Sequence, residues 1–272
     1  TGIWVAKFEA TAAEGVANLL NCDSTADNVS SKTIKISPNV TSWRCITIGN
    51  TFTAIRKMES NSIYGWPTAS GLKDDGTYTT DNNNIDTHLM KNIEWGAVAY
   101  LSKSQYGKNT EEIAVNTSSD SITGTGGDAA STTGNIYGIY DMSGGLWESV
   151  SAYVDNGNYS LTAYGASIIN AVSKYKDIYT KGSTDNAQNN YNLTINKKGD
   201  AVYETSNGIY ENSGSGWFND YTSMPSTGYP WFSRGGYWVN GEHAGAFSFG
   251  VAKGDVRSLS GFRPVLVVNE GL

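Results

Sequence analysis

Charge is scarce in this chain of 272 residues: Asp, Glu, Lys and Arg make up only 17% of it, with a formal net charge of −7. A nucleic-acid footprint needs clustered Lys and Arg, so the composition excludes that partner class, and the acidity is read as serving solubility. Histidine is limited to His88 and His243. Two imidazoles cannot build a His-rich metal cage, and each is read as a hydrogen-bonded or surface side chain. Cysteine is limited to Cys22 and Cys45, a spacing that matches neither a zinc nor a CxxC redox motif and leaves a disulfide and two buried thiols equally open. No apolar run reaches membrane-spanning length, so no direct membrane contact is expected. The chain opens at Thr1 without Met, signal peptide or anchor, and a longer natural precursor is expected. Nucleophile elbow, P-loop and His-Glu-x-x-His motifs are all missing. Adjacent carboxylates such as Asp74 and Asp75, or Glu111 and Glu112, sit in polar loops and read as solvated.

What the chain does have is Gly, Asn, Ser, Thr and 17 Tyr, a surface rich in uncharged hydrogen-bonding groups. Gly2 to Glu9 alternates in the manner of a buried strand, with Ile3 and Val5 inward. Ile48, Phe52 and Ile55 fall at helical spacing within 46–58. A second helix is predicted over 92–104, with Ile93, Ala97, Val98 and Leu101 on one face and Gly107 as C-cap. The stretches 107–135 and 155–220 read as long surface excursions. Two helices, scattered short antiparallel strands and long loops predict an α+β fold in a single domain over 1–272.

Four segments carry a resemblance. In order they are Gly2–Thr11 (GIWVAKFEAT), Asn92–Gly107 (NIEWGAVAYLSKSQYG), Tyr137–Val150 (YGIYDMSGGLWESV), and the pair Arg234–Trp238 (RGGYW) and Gly261–Val265 (GFRPV). Together they resemble the formylglycine-generating-enzyme branch of the C-type lectin fold. The resemblance implies that the strand around Ile3–Phe8 pairs near Pro264–Val268. Physically the motifs read as scaffold: glycines for tight turns, Asp141 for turn amides, Trp147 for core area, and Arg234 and Arg263 bridging carbonyls or a carboxylate such as Glu148.

Catalytic members of that family use two cysteines between the last two motifs to bind copper, and 237–260 holds none. The chain is therefore expected not to be an enzyme and to carry no cofactor. Glu148, with the carbonyls of Gly144 and Leu146, stands at the position where family members hold calcium. Gly145 replaces the family's Asn there, and one carboxylate falls short of a calcium shell.

Between the RGG and GFR frames, 237–260 mixes Tyr, Trp, Asn, Ser and Gly as antibody loops do. The layout also resembles the variable proteins of diversity-generating retroelements, whose C-terminal segments change at adenines of AAY codons. That codon logic admits Tyr237, Val239, Asn240, His243, Ser248, Gly250, Val251, Ala252, Asp255, Arg257 and Leu259 as variable sites, and excludes Trp238, Glu242 and Lys253. Trp238 is counted with the ligand surface as a contact residue. The expected arrangement has Tyr237, Asn240, His243, Ser248, Ala252, Asp255 and Arg257 exposed and contiguous over buried Phe247, Phe249, Phe262 and Arg263. The resemblance implies an extracellular, cell-surface or virion-associated protein whose partner is a protein or glycan receptor. The competing expectations are a structural subunit of a phage or pilus appendage, or an oxidative-enzyme relative with a displaced site.

Overall fold

The computed structural model describes residues 2–15, 22, 32–66, 85–182, 199–206 and 214–268. Asp74 and Asp75 lie outside them, as do parts of the 155–220 excursion. The architecture is α+β. Its centre is a sheet of order β6-β5-β7-β8, made of β5 (Trp147–Asp155), β6 (Asp177–Thr180), β7 (Trp231–Arg234) and β8 (Phe249–Ala252). The short β9 (Ser260–Phe262) pairs with the start of β5. The strands are not all antiparallel as expected: β5 runs parallel to both β6 and β9.

Side-chain alternation splits this sheet between two cores. Tyr153 and Trp231 join one cluster with Ile48, Phe52, Leu161 and Ile168. Val150, Ala152, Val154 and Phe232 join the other, with Trp95, Val98 and Ala99. Helices α1 (Ile48–Arg56) and α3 (Tyr159–Asn170) thus cover one face and α2 (Asn92–Ser102) the other.

The first helix matches its expected span, capped by Thr47, whose hydroxyl accepts the Asn50 amide at 3.3 Å. In α2 the buried face differs from the expected one. Trp95, Val98, Ala99 and Ser102 point inward, while Ala97 is exposed and Leu101 is 59% exposed. Trp95 sets this rotation, because its indole N–H donates to the Ala246 carbonyl at 2.7 Å and seats the ring under the C-terminal segment. Gly107 is not the C-cap either; Lys103 is, and Gly107 lies against the Ser102 carbonyl, where a Cβ would come to 2.3 Å.

A third helix was not expected. α3 sits inside the stretch read as a loop, together with β6, because Ser, Thr and Gly dilute its apolar spacing at Leu161 and Ile168. Gly165 makes the packing possible: a Cβ there would come to 2.2 Å from the Trp231 ring.

A second sheet has the order β1-β10-β4, from Ile3–Val5, Pro264–Val268 and Ile85–Leu89. Ile3 pairs with Val267 and Val5 with Val265, so the two ends of the described chain meet as expected. The strand is not buried, however: β1 is an edge, and Ile3 and Trp4 are 41% and 69% exposed. The β2–β3 pair (Ala10–Ala12 with Ile34–Ile36) completes the strands. Cys22 and Cys45 form a disulfide.

His88 on β4 is buried between two carboxylates, Nδ1 at 3.2 Å from Asp86 and Nε2 at 2.9 Å from Glu94. Burial pulls its pKa down, but the two carboxylates outweigh burial and raise it above the ordinary histidine value. Burial pushes Asp86 up, and His88 with Lys174 reverses this to about 2. The raised histidine contributes stability fully below about pH 6.5 and loses it as pH rises through its folded value. The lowered carboxyls contribute above their ordinary range and lose it in acid. Melting temperatures measured between about pH 5 and 9 should decline on the alkaline side, and His88→Phe should flatten that decline. An identical alkaline limb in the variant would show that His88 does not carry it.

Candidate functional site

The four motif segments converge on one buried ionic cluster. Arg263 donates from Nε to Glu148 at 2.8 Å and from Nη2 to the same carboxylate. It also reaches the carbonyls of Ala6 at 2.8 Å and Tyr140 at 2.9 Å. Arg234 donates to the carbonyls of Asp200 at 3.1 Å and Ala201 at 2.8 Å. Burial pushes the carboxyls of Glu9, Asp141 and Glu148 upward, and Arg263 opposes that push at Asp141 and Glu148. Asp141 sits at φ 61° and accepts the Gly124 amide at 3.0 Å and the Asn116 side chain at 2.9 Å. Both oxygens of Glu148 are engaged by Arg263, which leaves the calcium candidate without a free carboxylate. Among the described residues no group of three or more His, Cys, Asp or Glu is placed to hold a metal ion.

The glycine pairs of two motifs interlock above this cluster. Gly144 and Gly145 at φ 78° and 70° meet Gly235 and Gly236 at 85° and 74°, conformations that a Cβ disfavours. The Gly144 amide donates to Gly235, and the Trp238 amide to Gly145. The C-terminal segment therefore leaves the frame at a fixed point.

From there it forms a groove of about 790 Å³ at one end of the central sheet. Tyr237, Asn240, Gly250, Val251, Ala252, Asp255, Arg257 and Leu259 line it, all of them positions picked from the sequence. Asn240 accepts the Tyr237 amide at 2.9 Å, which fixes the entry turn. Asp255 and Arg257 pair at 2.8 Å on the opposite wall. Phe247, Phe249, Phe262 and Arg263 lie buried, as expected.

Four chosen residues are not in the groove. Trp238 and Val239 lie on the 3-10 stretch Trp238–His243 beside it, Val239 54% exposed. His243 is half-buried and bonds through Nδ1 to the Asn219 carbonyl at 2.9 Å, away from the lining. Of the seven residues expected to be exposed only Arg257 is; Tyr237, Asn240, His243, Ala252 and Asp255 are half-buried, and Ser248 is 0% exposed. The alternation that aimed it outward fails because 245–248 is a turn, not a strand. The Ser248 amide donates to Gly245 and its hydroxyl to the Tyr221 carbonyl at 3.0 Å. Gly250 is also buried, with the Trp147 ring about 3.1 Å from where its Cβ would stand.

Sequence reasoning missed the floor. Trp147, read as core, is only half-buried and lines the groove beside Tyr221, with centroids 5.7 Å apart. A signal existed in the motif itself. If Glu148 is buried under an arginine, strand alternation turns Trp147 to the opposite face. Compared with protein-family models and with curated proteins, the chain has no significant match.

Proposed function

We propose that this chain is a non-catalytic ligand-binding protein of C-type lectin fold, displayed outside the cell or on a virion, whose groove varies in sequence as in the variable proteins of diversity-generating retroelements. One observation carries the reading: eight of the eleven positions admitted by codon logic line a single groove, while Phe247, Phe249, Phe262 and Arg263 are buried. Such a division suits a surface meant to change. Apart from the buried Gly250, these groove positions lie outside the packed core, where even one methylene costs roughly 1 kcal/mol. The meeting of the first and third motif segments on Arg263 and the interlocked glycines supports the lectin-type frame.

The test is a combined substitution of Tyr237, Asp255 and Arg257 by alanine. Each is expected to change stability by no more than about 0.5 kcal/mol, while binding to receptor-bearing cells is altered or lost. Unfolding of the variant, or unchanged binding by a folded one, would favour the appendage-scaffold alternative. A reverse-transcriptase gene and a near-repeat of the coding region for 237–260 at the same locus are expected as well.

A further inference from the structure

We propose that Asp220 is a proton-operated latch on the strip 219–223, which carries Tyr221 to the groove: neutral, it holds the turn 245–248 in place, and ionised, it draws the Lys103 ammonium into the crevice beside it. The latch is independent of what the groove binds, and neither Asp220 nor Lys103 lines that groove.

The carboxyl is fitted into the fold. Asp220 is 2% exposed, and its Oδ2 accepts the Phe247 amide at 2.9 Å. Gly245 makes the room: a Cβ there would come to 2.1 Å from Oδ1, so the acid lies directly against the backbone of the turn. Among the described residues nothing donates to Oδ1 and no cation pairs with the group. A carboxylate held by one amide and no counter-charge is costly to bury, and the neutral acid far less so.

The open side is a crevice of about 10 Å³, the size of one water, between Lys103, Glu112, Ile113 and Phe218. That is too small to hydrate a charge. Three charged groups face Asp220: Lys103 at the end of α2, Glu112 in the loop after it, and Arg234 on β7. Arg234 is committed to the carbonyls of Asp200 and Ala201, and Glu112 has the wrong sign. Lys103 rests on the Glu111 carbonyl at 2.8 Å and 3.7 Å from the centre of the Phe218 ring, so it is the cation at hand. Burial pushes the Asp220 carboxyl up to about 8, with Glu112 adding to the push and the Phe247 amide, Lys103 and Arg234 opposing it. The acid is therefore neutral near pH 7 and ionises in mild alkali.

The strip beyond Asp220 is stitched to the ligand segment. The Tyr221 amide donates to the His243 carbonyl at 2.8 Å, and the Tyr221 carbonyl accepts the Phe249 amide at 3.1 Å and the Ser248 hydroxyl at 3.0 Å. Its ring stands 5.7 Å from that of Trp147 in the groove. A shift of the turn 245–248 thus reaches the groove through Tyr221. The imidazole of His243, bonded to the Asn219 carbonyl, is the titratable group on the neighbouring 3-10 stretch.

The probe is the proton itself, in an NMR titration of the whole chain from about pH 5 to 10 with no ligand present. The Asp220 carboxyl carbon and the amides of Gly245, Phe247 and Tyr221 are expected to move together with a midpoint of about 8. Asp220→Asn should abolish that transition. Lys103→Met should raise the midpoint by removing a cation that favours the charged form, and Glu112→Gln should lower it. Should Asp220→Asn fail to fold, these two rim variants carry the test, because their effects have opposite signs. The latch is overturned by an Asp220 carbon that does not titrate in this range, or by a Tyr221 amide that does not follow it. It is equally overturned by a midpoint that tracks the His243 ring signals or ignores both rim variants.

Discussion

Glu148→Ala is expected to destabilise the protein by about 3–5 kcal/mol, because it strands the buried Arg263 guanidinium without its counter-charge. The loss exceeds that of an ordinary core truncation of similar size. Arg263 is 0% exposed and cannot turn to water, and its remaining hydrogen-bond partners, the Ala6 and Tyr140 carbonyls, are neutral, with the Asp141 and Glu9 carboxyls acting on it without a direct bond. Arg263→Ala should cost a similar amount by leaving Glu148 buried beside Asp141 and Glu9, whose carboxyls burial already pushes upward. The double variant should be less destabilised than the two single losses added together, since each alone leaves an uncompensated charge. Urea unfolding of the three variants measures this. A melting temperature unchanged in Glu148→Ala would mean that the pair does not hold the frame.

The frame was legible because its residues are chemically unusual for a core. A buried arginine is costly unless polar partners await it: Arg263 in the Gly-Phe-Arg finds Glu148, Ala6 and Tyr140, and Arg234 before its glycine pair finds the Asp200 and Ala201 carbonyls. Helix α1 was legible for a different reason: its apolar residues Ile48, Phe52 and Ile55 keep a regular spacing. By contrast α3 was hidden, since its fit depends on Gly165 meeting Trp231, two residues far apart in sequence. The rotation of α2 was hidden in the same way by the Trp95 bond to Ala246. The edge position of β1 was also hidden, because alternation alone does not say which strand lies at the border of a sheet.

The site divides along similar lines. Composition and codon logic singled out the rim, and the errors fall where backbone geometry rather than side-chain chemistry decides. Ser248 is a polar residue buried because a turn supplies carbonyl and amide partners for it, and nothing in its neighbours' periodicity announces a turn. His243 is turned aside by a carbonyl from 219, a contact between segments that no local pattern encodes. The floor escaped notice because a tryptophan inside a scaffold motif invites a core assignment, whereas β5 begins at that residue and its first side chain stands at the open end of the sheet.

Removing the disulfide should cost about 2–4 kcal/mol and loosen the groove wall selectively. The bridge closes a sequence separation of 23 residues, so its loss returns substantial loop entropy to the unfolded chain. Its position adds a local effect. Cys22 lines the groove, and the Cys45 amide donates to the Arg257 carbonyl at 3.0 Å while the Ile48 amide donates to Gly254 at 2.9 Å. The wall from Gly254 to Leu259 therefore hangs from the N-terminal end of α1, with a further tie from Leu259 to the Trp147 amide at 3.0 Å. Cys45 itself sits at φ 59°, a conformation that a Cβ disfavours, and freeing its side chain lets that backbone relax away from Arg257. A Cys22→Ser, Cys45→Ser variant, or the wild type under reductant, should show faster amide hydrogen exchange at 254–259 than the oxidised protein. Exchange on β5 and β7 should stay slow at temperatures well below melting, because those strands are paired on both edges within the central sheet. Ligand affinity should fall with the loosened wall even where the variant remains folded, since an unformed wall must be ordered before it binds. Exchange that rises evenly over the whole chain would make the bridge a general staple with no particular hold on the groove.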